Sequence, residues 1–397
     1  MKVVYVLNPT LRLSGSFKSF SVLLRGLMQH GVQPSLVIPK GQDYEDELRK
    51  MGIPVLALTY RDHAWPHSCT ASQKLLFVPR LIARGIVNAV AGWQLYRHFR
   101  GKGIDLVHTN VSVLGVGYTL ARRLGVPHVY HVREYGKEDF GIRPFPSKSA
   151  FDHRLRQPGS YTICITRDLL RHHHLEGLPS ARMIYNGICP RMDVMPSASA
   201  GDYFLFVGPL THAKGIDQLV EAYVRYATST QRCLPLKVVG HAADPELFGT
   251  LTAKLKAHSL ADKVIFLGNR SDVPELMRDA AALIVPSPSE GFGRCTAEAM
   301  FSGTLVIGRN TGGTKEQMDN GLEMCGHEIA LRYEDTAQLA ARMDEVATAQ
   351  SGSYNEMRLN AFNTVNALYT NEAYVANVLD FYDYILPKAH LVASDKQ

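Results

Sequence analysis

The sequence predicts an α/β fold made of two doubly wound, parallel-sheet domains. Three observations carry that expectation. Short apolar runs alternate with helical patterns along the chain, as parallel strands joined by helices on both faces require. At 397 residues the chain is too long for one ordinary core and about right for two. A stretch rich in Pro, Ser, Ala and Gly, "CPRMDVMPSASAGD" from Cys189 to Asp202, separates two strand–helix series.

In the first series "VVYVL", "PSLVIP", "IPVLAL", "IDLVHTN", "PHVYHV", "YTICIT" and "ARMIYNGI" read as strands. Between them "SFSVLLRGLMQHG" and "GVGYTLARRLGVP" read as helices that close on glycine. Ser72 to Gly103 is long, apolar and basic, with Pro79 and Gly85 dividing it into two helices. "HHH", His172 to His174, reads as an exposed helix end rather than a metal site. The second series is "YFLFVG", "LPLKVVG", "KVIFLG", "AALIVP" and "TLVIGR". The domains are therefore placed at 1–190 and 202–370, with 191–201 as linker and 371–397 as a last helix and frayed tail. That helix carries aromatics at Tyr374, Phe381, Tyr382 and Tyr384, which suit core or interface packing. Ligands of such folds bind beyond the carboxyl ends of the strands, and two such ends facing each other would form a cleft.

The composition is globular, 46% hydrophobic and 20% charged. The six cysteines are scattered without a C-x-x-C pair, so neither a disulfide framework nor a structural zinc site is indicated. "MKVVYVLNP" is too short for a signal peptide's apolar region and reads as a first strand. No run approaches the roughly 20 apolar residues that span a bilayer. These features suit a cytoplasmic protein. Net charge is unevenly spread. Residues 1–190 hold 25 Lys and Arg against 12 Asp and Glu, a net +13, whereas 191–397 hold 18 against 25, a net −7. The first half is thus expected to meet something anionic, a phosphate ligand, a nucleic acid or a membrane surface, solvated surface charge being the alternative.

The second half carries the chemistry. "FVGPLTHAKGIDQLVEAY" sets Lys214 and Gly215 in a strand-to-helix turn, where a cation beside a helix N-terminus suits a phosphate. It is no Walker loop, since G-x-x-x-x-G-K-[ST] is absent. "PSPSEGFGRCTAEAM" follows the strand "AALIVP". Gly291 and Gly293 let the backbone approach a ligand closely, and the helix beginning near Cys295 and Thr296 favours an anion. Glu298, one turn into that helix, can accept hydrogen bonds from a ribose diol, as acidic residues do in dinucleotide folds. Glu290 sits at the turn within reach of a sugar hydroxyl. "GRNTGGTKEQM" adds Gly312 and Gly313 before another helix. Three strand ends with glycines and helix N-termini describe a pocket for a nucleoside diphosphate joined to a polyhydroxylated group.

These segments, with "VIFLGNRSDVPELMRDA", resemble the signature of glycosyltransferase family 4, closely over residues 202–320 and more loosely over 1–190. The resemblance implies a retaining enzyme of the GT-B fold, two Rossmann-like domains facing across a cleft with a last helix returning to the first. Its E-x7-E pair matches Glu290 and Glu298. It implies that Lys214 binds the donor diphosphate, and that Glu290 contacts the donor sugar with the backbone of Gly291, Phe292 and Gly293. It further implies that Glu298 holds the ribose, Arg270 the nucleobase, and that Gly15 approaches the diphosphate. His131, in "YHVRE", matches a family histidine beside the donor sugar; a strand histidine bonded to backbone is the alternative. The sequence departs from the family at Pro209, where an Arg usually partners the Lys. Arg294 or His212 is the candidate substitute.

No D-x-D motif occurs, so no metal or other cofactor is expected, and the leaving phosphate itself would take the acceptor's proton. Positioning and electrostatic stabilisation would then do the catalysis, with His131, Lys214 and Glu290 as its residues. The acceptor should meet the basic first domain. Leu75, Leu76, Phe77, Trp93 and Tyr96 beside Lys74, Arg80, Arg84, Arg97, Arg100 and Lys102 resemble an interfacial membrane segment. The acceptor would then be a saccharide, lipid-linked, of a bacterial surface polymer, and the enzyme peripheral on the inner membrane face. A non-catalytic nucleotide-sugar-binding protein and a nucleotide-sugar 2-epimerase are the alternatives. Nucleic-acid binding motifs are absent.

Overall fold

The structure, a computed structural model, describes residues 1–9, 14–66, 75–137, 141–196, 201–242 and 244–386. Cys69, Lys74, residues 197–200 of the expected linker and the tail from residue 387 lie outside the described residues. The chain forms two compact units, Met1–Gly187 together with the chain from Asn371, and Ile188–Thr370.

The first unit is built on seven parallel strands: β1 (Lys2–Val6), β2 (Gln33–Pro39), β3 (Val55–Leu58), β4 (Leu106–Thr109), β5 (His128–Val132), β6 (Ser160–Cys164) and β7 (Ala181–Met183), in the order β3-β2-β1-β4-β5-β6-β7. β1, β2 and β3 are largely apolar and most strand residues of the sheet are buried, because helices cover both of its faces. Ser14 caps the helix Gly15–Gln29 by accepting from the Phe17 N–H, and Gly125, left-handed at φ 71°, ends Val116–Leu124. The last helix, Asn371–Ile385, sets Tyr374, Val378, Phe381 and Tyr382 into the core that Phe17, Phe20 and Leu24 also fill.

The second unit has six parallel strands: β8 (Phe204–Val207), β9 (Leu236–Val239), β10 (Val264–Gly268), β11 (Ala282–Val285), β12 (Val306–Arg309) and β13 (Leu331–Tyr333), in the order β10-β9-β8-β11-β12-β13. The strand order reverses between β8 and β11, which makes their carboxyl ends the switch point of the sheet. The loops carrying Lys214, Glu290 and Gly312 follow β8, β11 and β12, three strands that lie side by side.

Three expectations change. Ser72 to Gly103 does not divide at Pro79 and Gly85: Phe77–Phe99 is one helix. Pro79 falls in its first turn, where no intrahelical N–H is needed, and Gly85 alone does not break a helix. His173 is buried, not exposed, and bonds Asp152 through Nδ1 at 2.7 Å; the helix Arg167–His172 ends there and His174 turns left-handed at φ 52°. The junction of the units falls at Gly187–Ile188, ahead of 191–201. Asn366 holds Met192 through both its N–H and its carbonyl, at 2.9 and 2.7 Å, and so ties that stretch to the second unit. Among the described residues no helix is long and apolar enough to cross a membrane.

Candidate active site

Two ion pairs and one braced turn make up the switch point of the second sheet. Lys214, in the 3-10 turn His212–Lys214, donates from Nζ to Glu290 Oε1 at 2.7 Å. The side chains are 34% and 16% exposed, so the pair is partly desolvated yet reachable. Arg294, the first residue of the helix Arg294–Phe301, donates from Nη2 to Glu298 Oε1 at 3.0 Å, one turn along. Cys295 lies among these four charges. Burial first, then the Glu298 and Glu290 carboxylates, push its thiol up to about 12, and its Sγ faces the Val207 carbonyl at 3.4 Å. It is therefore a neutral packing group rather than a nucleophile.

The turn between the carboxylates is held from the neighbouring loop. Gly313 N–H donates to the Glu290 carbonyl at 2.7 Å. Gln317 Nε2 donates to the carbonyls of Phe292 and Gly293, at 2.5 and 3.1 Å. Two positions here suit only glycine. Gly293 is left-handed at φ 80°, and a Cβ on Gly313 would lie 2.4 Å from the Phe292 carbonyl oxygen. Gln317 and Gly313 thus fix where Glu290 points. The sequence reading named Gly313 but passed over Gln317, whose one signal is its place a turn beyond the Gly-Gly pair.

The other expected residues divide. Gly291 is half-buried within the turn. Phe292 is buried edge-on against Tyr369, ring centroids 5.3 Å apart, so only its backbone faces the loop. Thr296 is fully buried, its hydroxyl meets that of Thr314 at 3.1 Å, and its N–H bonds the Gly293 carbonyl. Arg270 is exposed and bidentate to Asp272, at 2.8 and 2.6 Å. It follows β10, two strands from β8, at the edge of the sheet. Of the candidates for the missing arm at Pro209, His212 is exposed and faces Asp217 at 3.3 Å, while Arg294 is held beside Glu298.

In the first unit Gly15 opens the helix after β1 and is exposed. His131, on β5, is fully buried and bonded to side chains rather than to backbone. Arg133 Nη2 donates to its Nδ1 at 3.3 Å. His108 Nε2 reaches the same atom at 3.1 Å, and His108 Nδ1 is in hydrogen-bond contact with the Tyr382 hydroxyl. With Nδ1 accepting, the proton sits on Nε2, which has no partner among the described residues. Burial, then Arg133 and His108, hold this imidazole neutral, well below its usual pKa.

Both units match glycosyltransferase domain families. Residues 15–187 match the glycosyl transferase 4-like domain and residues 194–364 match glycosyl transferases group 1. By fold the chain is of the GT-B class, with each unit matching a glycosyltransferase domain family. It is 25% identical over 244 residues to an uncharacterized glycosyltransferase of Methanocaldococcus jannaschii, covering 60% of this chain and 65% of that protein. Over 128 residues it is 30% identical to the lipopolysaccharide core biosynthesis mannosyltransferase LpsB of Rhizobium meliloti, covering 31% of this chain and 35% of that one. The chain thus spans less than two thirds of the length of either relative. The solved structure of Anabaena HepE in complex with UDP superposes with a TM-score of 0.74 at 17% identity, over 97% of this chain and all of that one.

Proposed function

We propose that the protein moves a hexose, with retention of configuration, from a nucleoside diphosphate sugar to a saccharide acceptor in the assembly of a bacterial surface glycan. The observation that carries this is the Lys214–Glu290 pair at the switch point of the second sheet, with Arg294–Glu298 beside it. A diphosphate arriving there displaces Glu290 from Lys214. The ammonium then stabilises the leaving phosphate, and the freed carboxylate turns to a sugar hydroxyl. Glu298 accepts from the ribose, and the buried Nε2–H of His131 donates to a saccharide hydroxyl. No protein nucleophile and no metal takes part. The Anabaena neighbour solved with UDP supports a nucleotide ligand, and the Rhizobium mannosyltransferase supports a surface-glycan product.

The acceptor is lipid-linked, and the helix Phe77–Phe99 meets the membrane. Val78, Ile82, Ile86, Val90 and Trp93 recur every three or four positions and are exposed, opposite the buried Ala91, Leu95 and Phe99. Arg97 lies over the Trp93 ring at 4.6 Å. No Asp or Glu occurs between Asp62 and Asp105, so an anionic bilayer is the partner this surface fits.

Thermal-shift measurements against UDP-, GDP- and ADP-sugars test the donor. One of them, at a hundredfold its Kd, should stabilise the protein by about 2.7 kcal/mol. No shift with any of them would remove the reading. Pro209 supports a second reading, a protein that binds the nucleotide sugar without transferring it. Binding without sugar transfer or nucleoside diphosphate release would favour it.

A further inference from the structure

Val129 and His131 alternate along β5 onto the face of the first sheet that the last helix covers, and Arg133, one residue past the strand, continues that row. Arg133 is buried, and its guanidinium is bonded on every side. Nε donates to Asn110, at 3.1 Å to Oδ1 and 3.2 Å to the carbonyl. Nη1 donates to Asn186 Oδ1 at 2.6 Å. Nη2 donates to the Tyr374 hydroxyl at 2.9 Å and to His131 Nδ1 at 3.3 Å. Asn110 follows β4, Asn186 follows β7, and Tyr374 lies on the last helix, so separate elements hold one planar fork in place.

A guanidinium has donors only and keeps its charge. The His131 nitrogen that faces it must therefore be bare, which puts the ring proton on Nε2. The same bare nitrogen lies 3.1 Å from His108 Nε2, which must then donate as well. One cation thus decides where two buried imidazoles carry their protons. A carboxamide in its place can turn an oxygen to His131 and let the proton move to Nδ1. Burial first, then Arg133, keep the His131 ring neutral. His131 Nε2 is buried and has no partner among the described residues. A buried N–H without an acceptor is rare in folded proteins, and a ligand hydroxyl would satisfy it.

We propose that Arg133 is a positioning residue: held by Asn110, Asn186 and Tyr374, it fixes the tautomer and direction of His131, so that Nε2–H is offered to the saccharide. The arginine acts only through the imidazole. What Nε2–H meets rests on the transferase reading; the tautomer does not.

Nitrogen NMR of the histidine side chains, on the full chain at neutral pH, reads the tautomer directly, with His131 identified as the signals missing from His131→Gln. The wild-type protein should show His131 in the Nε2–H form alone. Arg133→Gln should show Nδ1–H or a mixture, and Arg133→Lys, which also only donates, should retain Nε2–H. Arg133→Met keeps the packing without a donor and gives the same test if Arg133→Gln does not fold. In sugar-transfer kinetics the Gln or Met variant should lower kcat/KM by about tenfold, the worth of one misplaced hydrogen bond. Nδ1–H in the wild-type protein, or the wild-type tautomer in a folded Gln or Met variant, would overturn the proposal. So would a changed tautomer with unchanged kcat/KM. A purely structural arginine would lower the melting temperature of these variants and move neither readout. A wild-type protein that transfers no sugar would remove the transferase reading instead, and leave the tautomer result standing.

Discussion

Lys214 Nζ lies 2.7 Å from Glu290 Oε1, joining the loop after β8 to the loop after β11 across the switch point of the second sheet. Neither residue is placed by its own helix or strand alone. Gly313 and Gln317 hold the backbone around Glu290 from the loop and helix after β12, so three strand ends cooperate to present one cation. The Lys214 side chain is a third exposed, and a more charged anion can take it from Glu290.

Replacing Lys214 follows from that pairing. Charge grows on the leaving diphosphate as the glycosidic bond breaks, so the ammonium binds the transition state better than the ground state. Lys214→Ala should lower kcat by about 10²–10³ with a smaller change in donor affinity. Lys214→Arg should restore part of it, the guanidinium differing in shape and reach. Steady-state kinetics of nucleoside diphosphate release read both. Wild-type turnover in Lys214→Ala would mean that another group, with Arg294 the nearest candidate, carries the charge.

Glu298 is the other carboxylate of the pair of pairs. Glu298→Ala should weaken a nucleoside diphosphate by about tenfold, the worth of a charged hydrogen bond to a ribose hydroxyl. It should also free Arg294, now bonded to it at 3.0 Å, to approach the phosphates. Glu298→Ala combined with Arg294→Ala should therefore bind more weakly than either single change. Calorimetry measures all three, and unchanged affinity in a folded Glu298→Ala protein would take the residue out of the site.

The exposed stripe of Phe77–Phe99 predicts a salt-sensitive membrane contact. In vesicle sedimentation the protein should pellet with anionic lipid and remain largely in the supernatant with neutral lipid. Salt should weaken the binding, since exposed charges are screened beyond about 10 Å at 0.1 M. Ile82→Asp with Ile86→Asp should abolish it without loss of fold, because both side chains already face solvent. Pelleting that ignores lipid charge, or a double variant that still pellets, would count against the contact.

Twelve of the thirteen strands were legible because parallel strands covered on both faces are largely apolar, and β7, with Arg182 at its centre, lay within the longer apolar stretch "ARMIYNGI". β13 was not: it has three residues, with Arg332 at its centre, and is held by pairing with β12 rather than by its own pattern. Glycines before helices marked the loops that carry Lys214, Glu290 and Glu298, since close backbone approach leaves a residue-type trace. The pairing of Lys214 with Glu290, 76 positions apart, leaves none and needed the sheet order. Nor does position in a helix's first turn say which way a hydroxyl points: that of Thr296 meets Thr314. His173 looked exposed because its Asp152 partner lies on another helix.

The first unit should lose stability on mild acidification, through histidines buried neutral in its sheet. His128 is fully buried, its Nε2 2.7 Å from the Thr109 hydroxyl, and burial, then Arg154, hold it down to about 3. His108 and His131 are held well below the usual value by burial and by Arg133; Tyr382 and Tyr5 face them from the last helix and β1. In the unfolded chain each titrates near pH 6.5. Below that pH the unfolded state therefore binds more protons than the folded one, and stability falls as pH falls. The loss runs from about pH 6.5 down to the folded values and is about 2 kcal/mol per histidine by pH 5. Asp152, which burial raises but His173 and Lys148 lower further, adds its loss in a separate window below about pH 4. Urea unfolding at pH 7 and pH 5 should show a clearly lower midpoint at pH 5, with hydrogen exchange rising first in β4 and β5. His128→Gln cannot titrate, so it should reduce the difference between the two pH values even if it lowers both midpoints. Equal midpoints at pH 7 and 5 in the wild-type protein would mean that these imidazoles find protons, or water, in the folded state.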